Sequence, residues 1–302
     1  MSRIHEALKR AEEQKPPAWK PSEPTPLGFG GNVNTAVARE ALHSPTPTPK
    51  GIPTVGRGLR LEELRQRCIK PGWELNPDCD VFSTKQSSSL CAEQFRTLRS
   101  HLYRLREKNP IRTLLVTSAL PGEGKTFVAL NLALAIARQH ERKALLIDAD
   151  LRASSLHARL GAPAAPGLSD FLGAKVDEFS ILQADPKVEL FFAPAGRPVP
   201  NPSELLANGM LKAFIHGISP VFDWVIVDAP PVLAVADAGI IADFCDGVIV
   251  VVRAGETAHN LVKTTLQEFR GSNLLGVVLN GGSEAANYGG YACSAGFGLA
   301  KR

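Results

Sequence analysis

The chain has 302 residues, of which 44% are hydrophobic and 21% charged, with a formal net charge of +4. That is enough for one sizeable core with an extension attached, and the absence of any apolar run of about 18 residues argues against a spanning helix. Arg3, Glu6, Lys9 and Arg10 stand at the start without an apolar stretch behind them, so a secretory leader is not expected and a cytoplasmic location is.

Along the chain, residues 1–15 place Ile4, Ala7, Leu8 and Ala11 on one face of a short amphipathic helix. A helix this short is marginal alone in water, which favours docking on a partner or a membrane surface. Residues 16–54 turn to Pro, Thr, Ser and Gly and predict a disordered linker. Residues 1–110 carry 18 Lys and Arg against 12 Asp and Glu, leaving 16 against 18 in the remainder. A weakly basic arm of this kind suits proximity to anionic lipid. The basic residues are dispersed rather than clustered, and no nucleic-acid partner is expected. Cys68, Cys79, Cys91, Cys245 and Cys293 are scattered without metal-ligand spacing, so reduced structural thiols are expected.

Residues 55–281 read as one domain. A transitional stretch leads to a helix over Leu90–Glu107. Short apolar runs then follow at Thr113–Thr117, Ala144–Ile147, Glu189–Phe192, Trp224–Val227, Val248–Val252 and Leu275–Leu279, with helical segments such as Thr126–Gln139 and His259–Arg270 between them. Alternation of this kind predicts a three-layer α/β fold of the P-loop NTPase type, its sheet mainly parallel and covered on both faces. Residues 282–302 are rich in Gly, Ala and Ser, predict a flexible tail, and hold Tyr288 and Tyr291.

The run Ser118-Ala119-Leu120-Pro121-Gly122-Glu123-Gly124-Lys125-Thr126 follows the first strand and opens a helix, the context a Walker A loop requires, with Ala119 where the first glycine usually stands. Backbone N–H groups of Pro121–Phe127, proline excepted, would turn toward phosphate at a helix N-terminus. Lys125 would bridge the β- and γ-phosphates of ATP, and the Thr126 hydroxyl would ligate Mg²⁺. Two further strands end in carboxylates: Ile147-Asp148-Ala149-Asp150, followed by Arg152, and Val227-Asp228-Ala229-Pro230-Pro231. Strand ends beside a phosphate loop are where a parallel sheet binds nucleotide. Asp228 reads as the Walker B carboxylate, and Asp148 and Asp150 offer one group for the metal and one to accept a proton.

With these motifs the chain resembles the bacterial tyrosine kinases of capsule and exopolysaccharide assembly, over about Leu90 to Tyr291. Ile147-Asp148-Ala149-Asp150-Leu151-Arg152 is similar to that family's second Walker A motif, and Asn201-Pro202-Ser203-Glu204-Leu205-Leu206 to a further signature segment. Glu93-Gln94-Phe95-Arg96-Thr97-Leu98-Arg99 resembles its Glu-x-x-Arg-x-x-Arg pattern. The resemblance implies an ATP-dependent tyrosine autokinase, a homo-oligomeric ring joined through Glu93, Arg96 and Arg99, and Tyr288 and Tyr291 as phosphoacceptors in trans. Arg152 joins the ATP site by the same resemblance, and Asn280 matches a position that contacts adenine. Mg²⁺ would be held by Thr126, Asp150 and Asp228, with Asp148 as base and Asp150 as the alternative. The resemblance also implies a membrane-embedded chain-length regulator as activator, holding the protein at the inner face of the membrane. It allows a tyrosine phosphatase as a further partner.

The tail departs from the family's tyrosine-crowded pattern. An ATP-binding scaffold with little kinase activity therefore stays open. A partitioning or septum-positioning ATPase is the other alternative, but those proteins carry a signature lysine where Leu120 stands here.

Overall fold

A computed structural model describes residues 60–83, 90–185 and 187–282. The amphipathic segment 1–15, the linker 16–54 and the tyrosines Tyr288 and Tyr291 lie outside the described residues. Among the described residues seven strands run β1 (Thr113–Ser118), β2 (Ala144–Asp148), β3 (Gln183–Ala184), β4 (Leu190–Ala193), β5 (Trp224–Asp228), β6 (Gly247–Arg253) and β7 (Leu274–Asn280). They form one sheet in the order β3-β4-β2-β5-β1-β6-β7. Every pairing is parallel except that of β3 with β4, so the sheet is mainly parallel, as its apolar runs predict.

Side chains alternate across each strand and sort into two cores. On one face, Leu115, Leu145, Ile147, Val225 and Val227 pack with residues of α5 (Leu168–Leu172), α6 (Pro202–Ala207), α7 (Met210–Ile218) and α8 (Asp237–Ala242). On the other, Leu114, Val116, Leu146 and Ile226 meet α2 (Leu90–Lys108), α3 (Lys125–Ala137) and α4 (Leu156–Leu160). The set is completed by α1 (Leu61–Arg67), whose Leu64 is fully buried, and α9 (His259–Glu268). Each fully buried Leu, Ile or Val contributes roughly 1.5–3 kcal/mol by leaving water, which makes the central strands the anchor for whatever their ends carry.

The helix α3 is buried along nearly its whole length, between the sheet and α2. Asn131, the polar residue in the middle of the helix, is fully satisfied: its amide donates to the Cys79 and Phe127 carbonyls and accepts from the Val81 N–H. Asn131 thus pins the 79–82 loop onto the helix that follows the phosphate loop. Tyr103 packs edge-on against Trp224, with ring centroids 5.9 Å apart.

Candidate active site

The three central strands β2, β5 and β1 lie side by side with Asp148 opposite Asp228 in register and Val116 opposite Asp228. Sequence-distant motifs therefore meet at one edge: the β1–α3 loop, Asp148–Asp150 after β2, and Asp228 at the end of β5. Gly124 is the N-cap of α3 with φ +96°, in the left-handed region that glycine tolerates best. A Cβ there would stand 2.0 Å from Asn280 Nδ2, so any side chain at this position would displace the Asn280 amide. Asn280, at the end of β7, donates instead to the Glu123 carbonyl at 2.9 Å.

The loop is braced from within and from beside. Glu123 is buried, and its Oε2 accepts the Leu120 N–H at 2.8 Å while Oε1 takes the Thr257 hydroxyl. Arg253 at the end of β6 donates to the Gly122 carbonyl at 3.2 Å. Pro121 and Gly122 are exposed, Thr126 is buried, and Phe127 meets Phe95 edge-on with centroids 5.9 Å apart.

Lys125 lies at the centre of the acidic group. Its Nζ is 2.8 Å from Asp150 Oδ2, 3.7 Å from Asp228 Oδ1 and 3.2 Å from Thr126 Oγ1. Burial pulls the ammonium down, but Asp228 and Asp150 outweigh it and raise its pKa. Asp148 is fully buried. Burial first, and Asp228 second, push its carboxyl from 3.8 to about 7, while the Ser154 hydroxyl opposes the rise. Burial likewise lifts Asp228 to about 6 against Lys125 and a hydrogen bond from Thr126. Its Oδ1 is buried without a hydrogen-bond partner. A buried carboxylate oxygen without a hydrogen bond, 3.7 Å from Lys125 Nζ, fits a magnesium ion, which takes one or two protein ligands together with phosphate oxygens.

Arg152 points into a separate cluster. Its Nε donates to Asp237 Oδ2 at 2.8 Å and its Nη2 to Ser203 Oγ at 2.8 Å, while Ser203 donates to Asp237 Oδ1 at 2.5 Å. The signature segment around Ser203 is thereby tied to the end of the Asp148–Arg152 stretch. On α2, Glu93 and Arg96 form an i,i+3 pair, whereas Arg99 donates to the Ala135 carbonyl at 2.6 Å in the last turn of α3. Ser154, His157, Asp237, Arg253 and Thr257 belong to this environment and are not marked by the motifs. Each is a single polar residue with no spacing pattern of its own, so only the fold brings them in.

A phosphate loop running from strand to helix, with carboxylates on the neighbouring strand ends, defines a P-loop nucleotide-binding protein. The CobQ/CobB/MinD/ParA nucleotide binding domain family matches residues 114–287. Within that class, tyrosine-protein kinase YwqD of Bacillus subtilis is 36% identical over 217 residues, covering 70% of this chain and 91% of the relative. Tyrosine-protein kinase wzc of Salmonella typhimurium is 35% identical over 202 residues, covering 66% of this chain but 28% of the relative. The solved kinase domain of the Escherichia coli tyrosine kinase ETK superposes with a TM-score of 0.65 at 29% identity, covering 80% of this chain and all of that domain. The chain belongs to the bacterial tyrosine kinases built on this nucleotide-binding domain.

Proposed function

We propose that the protein transfers the γ-phosphoryl group of ATP to tyrosine hydroxyls of its own kind, and that this controls polymerisation and export of an exopolysaccharide or capsule. The observation that carries the reading is the convergence of Lys125 with Asp148, Asp150 and Asp228 on the ends of adjacent strands. In-line transfer needs little covalent help from a protein, so catalysis is positioning and charge neutralisation. Lys125 leaves its carboxylates to meet the β- and γ-phosphates, and the backbone N–H groups of Gly122 to Phe127 hold the β-phosphate. Asp228, Asp150 and Thr126 would hold Mg²⁺, which when bound offsets charge on the phosphate oxygens. The phenolic oxygen forms its bond to the γ-phosphorus as the bond to the β–γ bridging oxygen breaks, and the phenolic proton passes to Asp148. A carboxyl lifted to about 7 is matched to that task near neutral pH.

Tyr288 and Tyr291 are the proposed acceptors, presented in trans within a homo-oligomeric ring in which the Glu93–Arg96 face of α2 takes part. Arg152 and Asn280 complete the ATP site in this reading, Asn280 at the adenine. A membrane-embedded chain-length regulator would activate the kinase and hold it at the inner membrane face. That wzc continues well beyond the matched part supports such a partner.

Incubation with ATP and Mg²⁺ followed by phosphotyrosine detection tests this. The parent chain should be labelled, Lys125→Met should not, and the double variant Tyr288→Phe/Tyr291→Phe should lose most of the label. A parent chain that binds ATP yet forms no phosphotyrosine, with its membrane partner present, would leave only the nucleotide-binding scaffold.

A further inference from the structure

We infer that Ser154, pinned by His157, is a positioning residue that fixes the carboxylate of Asp148 for transfer; the inference rests on the reading of Asp148 as the base. Ser154 lies between β2 and α4. Its Oγ is 2.8 Å from Asp148 Oδ2 and 3.2 Å from His157 Nδ1. A serine hydroxyl has a single hydrogen, so it donates to one of these two neighbours and accepts from the other. Asp148 in its ionised form is acceptor-only. With Asp148 ionised, as a base must be, His157 supplies the Nδ1–H, and the polar chain runs in one direction, from imidazole to hydroxyl to carboxylate.

The backbone anchors the rest of the carboxylate. Asp148 Oδ1 accepts the Asp150 N–H at 3.2 Å, and Oδ2 accepts the Leu156 N–H at 3.4 Å, longer than a good bond. Ser154 thus supplies the shortest of the three contacts and the one from a side chain. It is not serving the helix in the ordinary way: Ser155 occupies the N-cap position of α4 without a side-chain cap, and Asp148 itself meets the Leu156 N–H. A buried carboxylate that must face an incoming phenol cannot swing about its last torsion without losing alignment. Ser154 and His157, on adjoining turns of one short segment, hold that torsion.

The full-length chain is assayed with a Glu-Tyr copolymer as acceptor, measuring kcat and KM for ATP, and nucleotide affinity is read by fluorescence of a methylanthraniloyl-ATP. Ser154→Ala should lower kcat about tenfold to a hundredfold, the worth of one hydrogen bond to a charged group, with KM and nucleotide affinity changed by less than about twofold. Ser154→Thr keeps the hydroxyl and should recover most of the rate. In an Asp148→Asn background, Ser154→Ala should add less than about twofold, because a residue acting through Asp148 has nothing left to position. His157→Ala should give a smaller loss in the same direction.

Unchanged kcat in Ser154→Ala while Asp148→Asn is inactive would overturn the inference. So would losses that multiply in the double variant, or nucleotide affinity falling in step with kcat. If Asp148→Asn itself keeps the parent rate, the base assignment fails and this inference with it, a result distinguishable from the others by that single variant.

Discussion

Replacing Asp148 with Asn should stabilise the nucleotide-free chain at alkaline pH. Asp148 is fully buried, and burial followed by the charge of Asp228 lifts its carboxyl from 3.8 to about 7. Between those values the folded chain holds a proton that the unfolded chain has released. Stability is therefore fully present below the unfolded value and is lost as pH rises toward the folded one. About three pH decades at roughly 1.36 kcal/mol each amount to on the order of 4 kcal/mol at pH 8.5, where the folded site must carry the charge. Asn carries none. Its amide loses one acceptor, which Ser154 offsets by turning to accept from the new NH₂, at a residual cost of about 1 kcal/mol. A net gain of roughly 2–3 kcal/mol raises Tm by about 4–12 °C for a domain of this size. Thermal unfolding followed by circular dichroism, in EDTA without nucleotide, at pH 5 and pH 8.5, reads the effect. The variant's advantage should shrink to less than half at pH 5. A Tm difference that does not change with pH, or a variant less stable than the parent at pH 8.5, would refute the reasoning.

Two other perturbations follow from the same geometry. Asp237→Ala removes the shared acceptor of Arg152 and Ser203 and should cost about 2 kcal/mol in urea unfolding, short of the full price of a buried pair because Arg152 is partly exposed. Gly124→Ala combines a left-handed backbone with a methyl 2.0 Å from Asn280 Nδ2, so it should destabilise by about 2 kcal/mol or more and abolish nucleotide binding. Adding Asn280→Ala should recover part of that stability, since it relieves the clash but not the backbone strain.

The central strands were legible in the sequence because a parallel sheet buried on both faces demands continuous runs of β-branched and aliphatic residues, as in Val248–Val252. Most observed strands exceed the expected ones by a residue or two, as where β1 takes in Ser118 and β2 takes in Asp148, polar residues that periodicity alone excludes, whereas β4 shifts from Glu189–Phe192 to Leu190–Ala193. The antiparallel β3 was not legible. It is two residues long, and its pairing with β4 is decided by tertiary contact rather than by local preference. Helix α1 was missed for a related reason: Leu61–Arg67 is seven residues, mostly charged, and owes its place to one buried leucine. At the site, Lys125 and the three carboxylates could be read from spacing because each ends or follows a strand. Asp237 and Ser154 could not, since a lone buried Asp or a Ser after a strand has many ordinary uses.

What joins these observations is charge. Asp150 and Asp228 pair with a single ammonium and Asp148 lies within its field, so the chain's own residues leave the site short of positive charge when all three are ionised. Burial is the first cause that lifts Asp148 to about 7 and Asp228 to about 6, the neighbouring carboxylates add to it, and Lys125 pairs with Asp150 and Asp228. Stability is spent here on function. In the proposed reading a triphosphate would compete for Lys125, and releasing that lysine would strip two carboxylates of their counter-charge at once. Nucleotide and divalent cation should therefore bind cooperatively, each supplying the charge the other displaces. The same balance explains why Ser154 matters more than an ordinary serine: it donates to the one carboxylate that Lys125 does not reach by a hydrogen bond or ion pair.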